Sequence, residues 1–173
     1  MRLRQRIIVA IAAGLLLANV AGCDDKAEKA RSFVQEIAAN NHPEQQKSFR
    51  RKVDDLDITL TYRYKDDVIL QQVAEDTAPW RLLPAQNIVE AKAMMNKIAA
   101  GYGKLSGVKQ TVEYRDNRVH EYLAIDFTQA SIQQLCSLKD ISIGMIITDC
   151  TVDWLTMSGV EKFLREQAFS EVK

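Results

Sequence analysis

The chain has 173 residues, and its 23 lysines and arginines balance 23 acidic residues, so the formal net charge is zero at pH 7. An even balance argues against a nucleic-acid partner, because such binding depends on an excess of basic side chains facing the phosphates. The 151 residues that follow the first 22 are enough for one domain with a hydrophobic core.

The first 22 residues have the three zones of a bacterial export signal in the usual order. Three arginines lie within the first six residues, an apolar stretch covers residues 7–20, and the small residues Ala21 and Gly22 follow. The apolar stretch of about 14 residues is too short for a membrane-spanning helix, which needs about 20. The sequence therefore predicts a signal peptide over residues 1–22.

The end of this signal, Val20-Ala21-Gly22-Cys23, resembles the lipobox of bacterial lipoproteins. In those proteins the cysteine thiol receives diacylglycerol, and cleavage makes the cysteine the new N-terminus. A thiol suits this alkylation because its thiolate is strongly nucleophilic. Two or three acyl chains such as palmitate bind a bilayer firmly, at about 0.8 kcal/mol per buried CH₂. We predict lipidation at Cys23; the alternative is a secreted protein whose cysteine has no such role.

The residue after the predicted lipidation site bears on which membrane a lipoprotein is sorted to. In Gram-negative lipoproteins with this pattern, an aspartate directly after the cysteine tends to keep the protein in the inner membrane. Asp24 occupies that position. The resemblance therefore implies a lipid-anchored protein on the periplasmic face of the inner membrane, if the cell is Gram-negative. The alternative is that Asp24 only begins a solvated tether.

Two cysteines remain in the exported chain, Cys136 and Cys150. In an oxidising compartment a disulfide between them would close a loop of about 15 residues, which contributes about 3 kcal/mol. Two buried, reduced cysteines are the alternative. A catalytic or metal-binding pair is disfavoured because the sequence has no CxxC spacing.

The hydrophobic pattern predicts a single α+β domain over residues 48–173. Residues 23–47 are predicted as the lipidated cysteine with a tether that merges into an amphipathic helix ending near His42. Residues 58–65 alternate as a strand, Asp66-Asp67 supplies a turn, and residues 68–73 return as a second strand. A helix is then predicted from Ile88 to Tyr102.

A second hairpin is predicted around Asp116-Asn117. With a two-residue turn there, one register places nearly all the apolar residues on one face. The predicted pairs are Tyr114 with Val119, Val112 with Glu121, Gln110 with Leu123 and Val108 with Ile125. Because a helix follows each hairpin, we predict a ββα unit used twice, which gives an antiparallel sheet with helices on one face.

The C-terminal third is less regular. Residues 141–147 are predicted as either a short strand or a buried connection. Thr156 is a predicted N-cap of a helix that ends before Phe169.

Four sequence blocks occur in a consistent order. They are residues 58–66 (ITLTYRYKD), residues 102–114 with Leu105-Ser106-Gly107-Val108, Ile125-Asp126, and residues 155–173 from Leu155-Thr156-Met157 to Phe169-Ser170-Glu171-Val172-Lys173. In order and spacing they resemble the YehR-like family of uncharacterised bacterial lipoproteins over residues 55–173. The resemblance implies lipidation and an α+β fold, and no catalytic residue. The long segment after Cys23 and the other two cysteines depart from that family.

The sequence contains no recognisable catalytic or metal-binding pattern. The two histidines, His42 and His120, lack the partner spacing of a zinc site, and no P-loop, nucleophile elbow or dinucleotide-binding fingerprint is present. The acids at positions 54, 55 and 57 lack the alternating calcium-binding pattern, so a solvated turn is predicted there. We predict no catalytic residue, metal or cofactor.

Glu121 is the one acid with two competing interpretations. Its hairpin register places it among apolar residues, where burial would raise the pKa of its carboxyl group. The favoured interpretation is an edge position open to water.

Three functional hypotheses follow. The first is a non-enzymatic, membrane-tethered module that binds an envelope protein through an apolar patch, or a small ligand in a deep, mostly apolar pocket. The second is an envelope enzyme that uses Glu121, His120 and Tyr122. The third is a purely structural envelope protein.

Overall fold

The computed structural model describes residues 22–138 and 144–173. In chain order the helices and strands are α1 (Gly22–Ala39), β1 (Gln45–Val53), β2 (Leu56–Lys65), β3 (Val68–Pro79), α2 (Ile88–Tyr102), β4 (Val108–Arg115), β5 (Arg118–Asp126), α3 (Ile132–Cys136), α4 (Met157–Glu166) and β6 (Ser170–Val172). A 3₁₀ turn, Trp80–Leu82, follows β3.

The strands form one six-stranded sheet in the order β4-β5-β3-β2-β1-β6. Every neighbouring pair is antiparallel. The predicted α+β fold with an antiparallel sheet is therefore confirmed. Both predicted hairpins are present, and they lie side by side because β3 pairs with β5.

The helices cover one face of this sheet. Inward side chains such as Leu60 of β2 and Leu123 of β5 share one hydrophobic core with Met95 of α2 and Leu164 of α4. Along β2 and β5 the buried residues alternate with half-buried or exposed ones, as expected for a sheet with one solvated face. We call the helix-covered side the inner face and the other side the open face.

The predicted register of the second hairpin is confirmed at all four pairs, from Tyr114 with Val119 to Val108 with Ile125. Asp116 and Asn117 have φ angles of 53° and 59°, and Asp66 and Asp67 have 48° and 65°. Two consecutive positive φ angles are the signature of type I′ turns, whose twist matches the flanking strands.

The N-terminal region differs from the sequence-based expectation. Helix α1 already begins at Gly22, so its described residues include no extended tether, and β1 follows at Gln45. The predicted domain boundary at residues 47/48 falls inside β1. Phe49 is the one buried residue of this strand, and the others are polar except for Val53 at its end, which hides the alternation.

The C-terminal third contains a short connection, a capped helix and a final strand. Residues 144–147 form a connection without helix or strand, in which Met145 and Ile147 are buried, while residues 139–143 of the predicted segment lie outside the described residues. As predicted, Thr156 caps α4 by accepting a hydrogen bond from the Gly159 amide at 3.3 Å.

A disulfide joins α3 to the segment before α4. Cys136 and Cys150 form this bond, with their Cα atoms 5.9 Å apart. Helix α3 has 5 residues against 15 in α2, so the second predicted ββα unit has a much shorter helix than the first.

Candidate functional site

The open face is concave where five strands lie side by side. The concavity has a volume of about 380 Å³ and is lined by polar and charged residues. Strand register places one row across it, from β1 to β4: Arg50, Thr59, Glu75, Tyr122 and Thr111. Tyr122 is 43% exposed, so its ring offers an aromatic surface in the middle of a polar row.

Most charged groups around this concavity already have a partner. Arg50 donates two hydrogen bonds to Asp57, at 2.8 and 2.5 Å, and this pairing lowers the pKa of the Asp57 carboxyl group. Thr77 Oγ1 lies 3.0 Å from His120 Nδ1. Glu75 is exposed and has no hydrogen bond or ion pair with the described residues, so its carboxylate can accept hydrogen bonds from a ligand.

On the inner face, directly behind this row, two acidic side chains are buried side by side. Asp76 of β3 and Glu121 of β5 are cross-strand partners, and each is only 3% exposed. Burial raises the pKa of Asp76 to about 8, and the neighbouring Glu121 contributes to the rise. Burial also raises the pKa of Glu121, although a hydrogen bond from Gln110 opposes this.

The hydrogen-bond partners of this acid pair are few. The Gln110 side-chain amide donates to Oε1 of Glu121, but Oε2 of Glu121 and both carboxylate oxygens of Asp76 have no hydrogen-bond partner among the described residues. The hydroxyl of Tyr62 is likewise buried, and burial together with the charge on Asp76 raises its pKa. Four polar groups therefore share a low-dielectric site, which favours protonated, neutral acids.

A backbone segment packs directly onto Asp76. The Gln72 side-chain amide donates to the carbonyl oxygen of Gly144 at 2.7 Å. A Cβ atom placed on Gly144 would lie 2.6 Å from Cβ of Ala74 and would also overlap Oδ2 of Asp76. This close approach leaves no room for a substrate between Asp76 and Gly144.

The three residues of the enzyme hypothesis do not converge. Adjacent residues of a strand point to opposite faces. His120 and Tyr122 therefore lie on the open face, whereas Glu121 points into the inner face. The favoured interpretation of Glu121, an edge position open to water, is wrong because β5 lies between β3 and β4 and its inward side is covered.

The remaining candidates for metal binding are dispersed. His42 is exposed beyond α1, with Nδ1 2.7 Å from Asp66 Oδ1. Asp55 pairs with Arg81 at 2.5 Å, separately from the Arg50–Asp57 pair. Within residues 22–138 and 144–173, no group of three or more His, Cys, Asp or Glu side chains is arranged to hold a metal ion.

Sequence reasoning missed Asp76. The predicted second strand stopped at residue 73, so Asp76 had no assigned face. The sequence did contain a pattern that could have located it. In a strand longer than the predicted one, Gln72, Ala74 and Asp76 occupy alternate positions and point to the same inward face. None of the helices in the described part of the chain is both long and apolar enough to cross a membrane.

Comparison with known proteins places this fold in a family. The model of a family described as "Protein of unknown function (DUF1307)" matches residues 45–170. The chain belongs to this family. The match begins at β1 and ends at the first residue of β6, so the DUF1307 region contains strands β1 to β5 with the β3–β5 pair, while α1 precedes it.

Two bacterial proteins that are similar to this chain are named as lipoproteins. The chain is 30% identical to the uncharacterised lipoprotein Lin0239 of Listeria innocua over 79% of this chain and 87% of that protein. It is 23% identical to the uncharacterised lipoprotein YehR of Escherichia coli over the full length of both chains. The predicted resemblance to YehR-like lipoproteins is confirmed.

Solved structures agree on the fold. The NMR structure of the Escherichia coli YehR protein matches with a TM-score of 0.62 and 24% identity, covering 78% of this chain and 94% of that one. An NMR structure of a Streptococcus pneumoniae protein matches with a TM-score of 0.53 and 16% identity, over 78% and 88% of the two chains. At these identities the solved structures support the architecture alone.

Proposed function

We propose that this chain is a lipid-anchored binding protein of the cell envelope, which holds a polar ligand on the open face of its sheet. The observation that carries the proposal is the concavity of about 380 Å³ on that face, with the exposed carboxylate of Glu75 beside the exposed ring of Tyr122. A site of this kind suits a ligand that has both hydroxyl groups and apolar C–H surfaces.

The chemistry of the row favours a glycan among polar ligands. A tyrosine ring packs against C–H groups while its hydroxyl stays hydrated. The hydroxyls of Thr59 and Thr111 can donate and accept, and Glu75 accepts from sugar hydroxyls. The large exposed apolar residues, by contrast, are scattered over separate elements: Val53, Leu82, Val89, Tyr122 and Val172.

The anchor is proposed from the N-terminal sequence and the relatives. Cys23 ends a lipobox-like sequence after an export signal, and the relatives from Listeria and Escherichia coli are named as lipoproteins. We place the lipid on Cys23, and Asp24 favours the periplasmic face of the inner membrane in a Gram-negative cell. Export would also allow the Cys136–Cys150 disulfide to form, which contributes about 3 kcal/mol through loop closure.

Binding is tested with the mature protein in lipid nanodiscs, by NMR titration with soluble oligosaccharides released from peptidoglycan by a muramidase. We expect the amide signals of Thr59, Glu75 and Tyr122 to shift together. Tyr122→Ala should weaken the apparent affinity about tenfold, equivalent to about 1.4 kcal/mol. Glu75→Gln should weaken it as well, because the charged acceptor is lost.

The matched control is Glu166→Gln, the same change at an exposed position of α4. This variant should bind like the native chain. Shifts confined to residues outside the open face, or native affinity in Tyr122→Ala, would contradict the proposed ligand surface. No shift at saturating oligosaccharide would exclude a peptidoglycan glycan as the ligand.

A further inference from the structure

Helix α1 is packed onto the domain from Lys26 to its C-terminal end. Ala30 and Val34 are buried against the core, and the ring centroids of Phe33 and Trp154 are 4.3 Å apart. Near the start of the helix, Lys26 Nζ lies 3.2 Å from Asp153 Oδ1. The exposed ion pair adds little, so the apolar contacts are what fix this half of the helix.

The second half of α1 is tied down by polar contacts. The Gln35 side chain donates to the carbonyl oxygen of Thr128 at 2.8 Å. Lys65 Nζ donates to the carbonyl oxygens of Ala38 and Asn40, at 2.8 and 3.0 Å, at the end of the helix. The helix is therefore held against the domain from Lys26 to Ala39, and this part cannot swing as a tether does.

The position of Cys23 within α1 determines how close a lipid on it would lie to the packed part of the helix. Cys23 lies in the first turn, three residues before Lys26. At a rise of 1.5 Å per residue, that separation is about 5 Å along the helix axis. A lipid on Cys23 would hold the body of the domain close to the headgroups, with no flexible spacer between them.

The surface beside the start of α1 comes from two segments. Ala27 of α1, Gln133 of α3 and Asp153 line one shared recess. The Gln133 side chain also donates to the carbonyl oxygen of Val152 at 3.4 Å, and the Cys136–Cys150 disulfide joins the same two segments. We call residues 131–133 and 149–154 the anchor end of the domain.

We infer that the domain sits on the bilayer in one fixed orientation, with its anchor end facing the lipid headgroups. This inference rests on the proposed lipidation of Cys23. Since α1 packs on the inner face of the sheet, the anchor leaves the concavity on the open face uncovered. The opposite end of the domain, with the Asp116-Asn117 turn, points away from the bilayer.

The test uses the mature lipidated protein in nanodiscs of phosphatidylethanolamine and phosphatidylglycerol at a ratio of about 3:1, doped with a gadolinium-chelating lipid. Paramagnetic broadening of amide signals should be strongest at the anchor end and weakest at Asp116 and Asn117. Inserting eight Gly and Ser residues between Asp25 and Lys26 should reduce this difference, because the domain can then tumble relative to the bilayer. The chain made without its signal peptide and lipid is the control and should show no broadening.

The possible results distinguish a failure of the fixed orientation from a failure of the lipid anchor. A chain that fails to associate with the nanodiscs overturns the lipid anchor. A chain that associates but shows equal broadening at both ends overturns the fixed orientation and leaves the anchor standing. Unchanged broadening after the insertion would also overturn it, because a flexible spacer would then make no difference.

Discussion

Replacing Asp76 with Asn should remove much of the pH dependence of this domain's stability. The pKa of Asp76 rises from 3.8 to about 8 in the folded chain because burial disfavours its charged form. Well below pH 4 the carboxyl group is neutral in both the folded and unfolded states. Between pH 4 and pH 8 the folded chain retains a proton that the unfolded chain releases, so stability falls as pH rises.

The size of this effect follows from the pKa difference. Each pH unit corresponds to about 1.4 kcal/mol. The titration of Asp76 alone therefore lowers the free energy of unfolding by about 4 kcal/mol between pH 4 and pH 7. Glu121 acts in the same direction because its pKa is also raised. Urea unfolding of the mature chain at several pH values, followed by tryptophan fluorescence, measures the slope.

Asp76→Asn should match the native chain near pH 4 and exceed its stability by several kcal/mol near pH 9, with a smaller slope left by Glu121. Glu166→Gln, at an exposed position of α4, is the control and should keep the native slope. A native chain whose stability is flat or rises between pH 4 and pH 8 would contradict a buried, protonated Asp76.

Gly144→Ala should destabilise the domain by about 3 kcal/mol. The new Cβ atom would meet Cβ of Ala74 at 2.6 Å and would overlap the Asp76 carboxylate. Ala74 belongs to a central strand and cannot move aside, so the segment around Gly144 must shift and strain its hydrogen bond from Gln72. Overpacking of a well-packed core costs about 1–3 kcal/mol, and a strained buried hydrogen bond adds to this.

The matched control is the same substitution at Gly103, the C-cap of α2. Its φ of −60° suits alanine, and the added Cβ would meet only the Ala99 carbonyl oxygen, at 3.4 Å. Gly103→Ala should leave stability unchanged or raise it by about 0.5 kcal/mol through lower unfolded-state entropy. Equal unfolding midpoints for the two variants would refute the close packing of Gly144 on Asp76.

The sequence was most informative where local signals agreed. The second hairpin could be predicted in register because its apolar residues alternate and Asp116-Asn117 supplies a turn with two positive φ angles. The strand β1 could not, because Phe49 is the one buried residue among nine and the others are polar except for the exposed Val53. Its place in the sheet depends on pairing with β2 and β6, which is not a local property.

The candidate sites were less predictable for the same reason. Glu121 could be singled out from its hairpin, but its partner Asp76 comes from another hairpin, and only the β3–β5 register brings the two together. The row on the open face likewise combines five strands. The docking of α1 depends on Trp154, which is more than a hundred residues away in the sequence. The amphipathic pattern could therefore predict the helix but could not predict the surface on which it packs.

The proposed envelope location and the fixed orientation of the domain both depend on a lipid at Cys23. Cells expressing the full-length chain are labelled with radioactive palmitate, and the native protein is compared with Cys23→Ala. We expect label on the native chain, with a mature N-terminus at Cys23, and neither label nor cleavage at that bond in the variant. Label that persists in Cys23→Ala, or a native chain without label, would contradict the anchor.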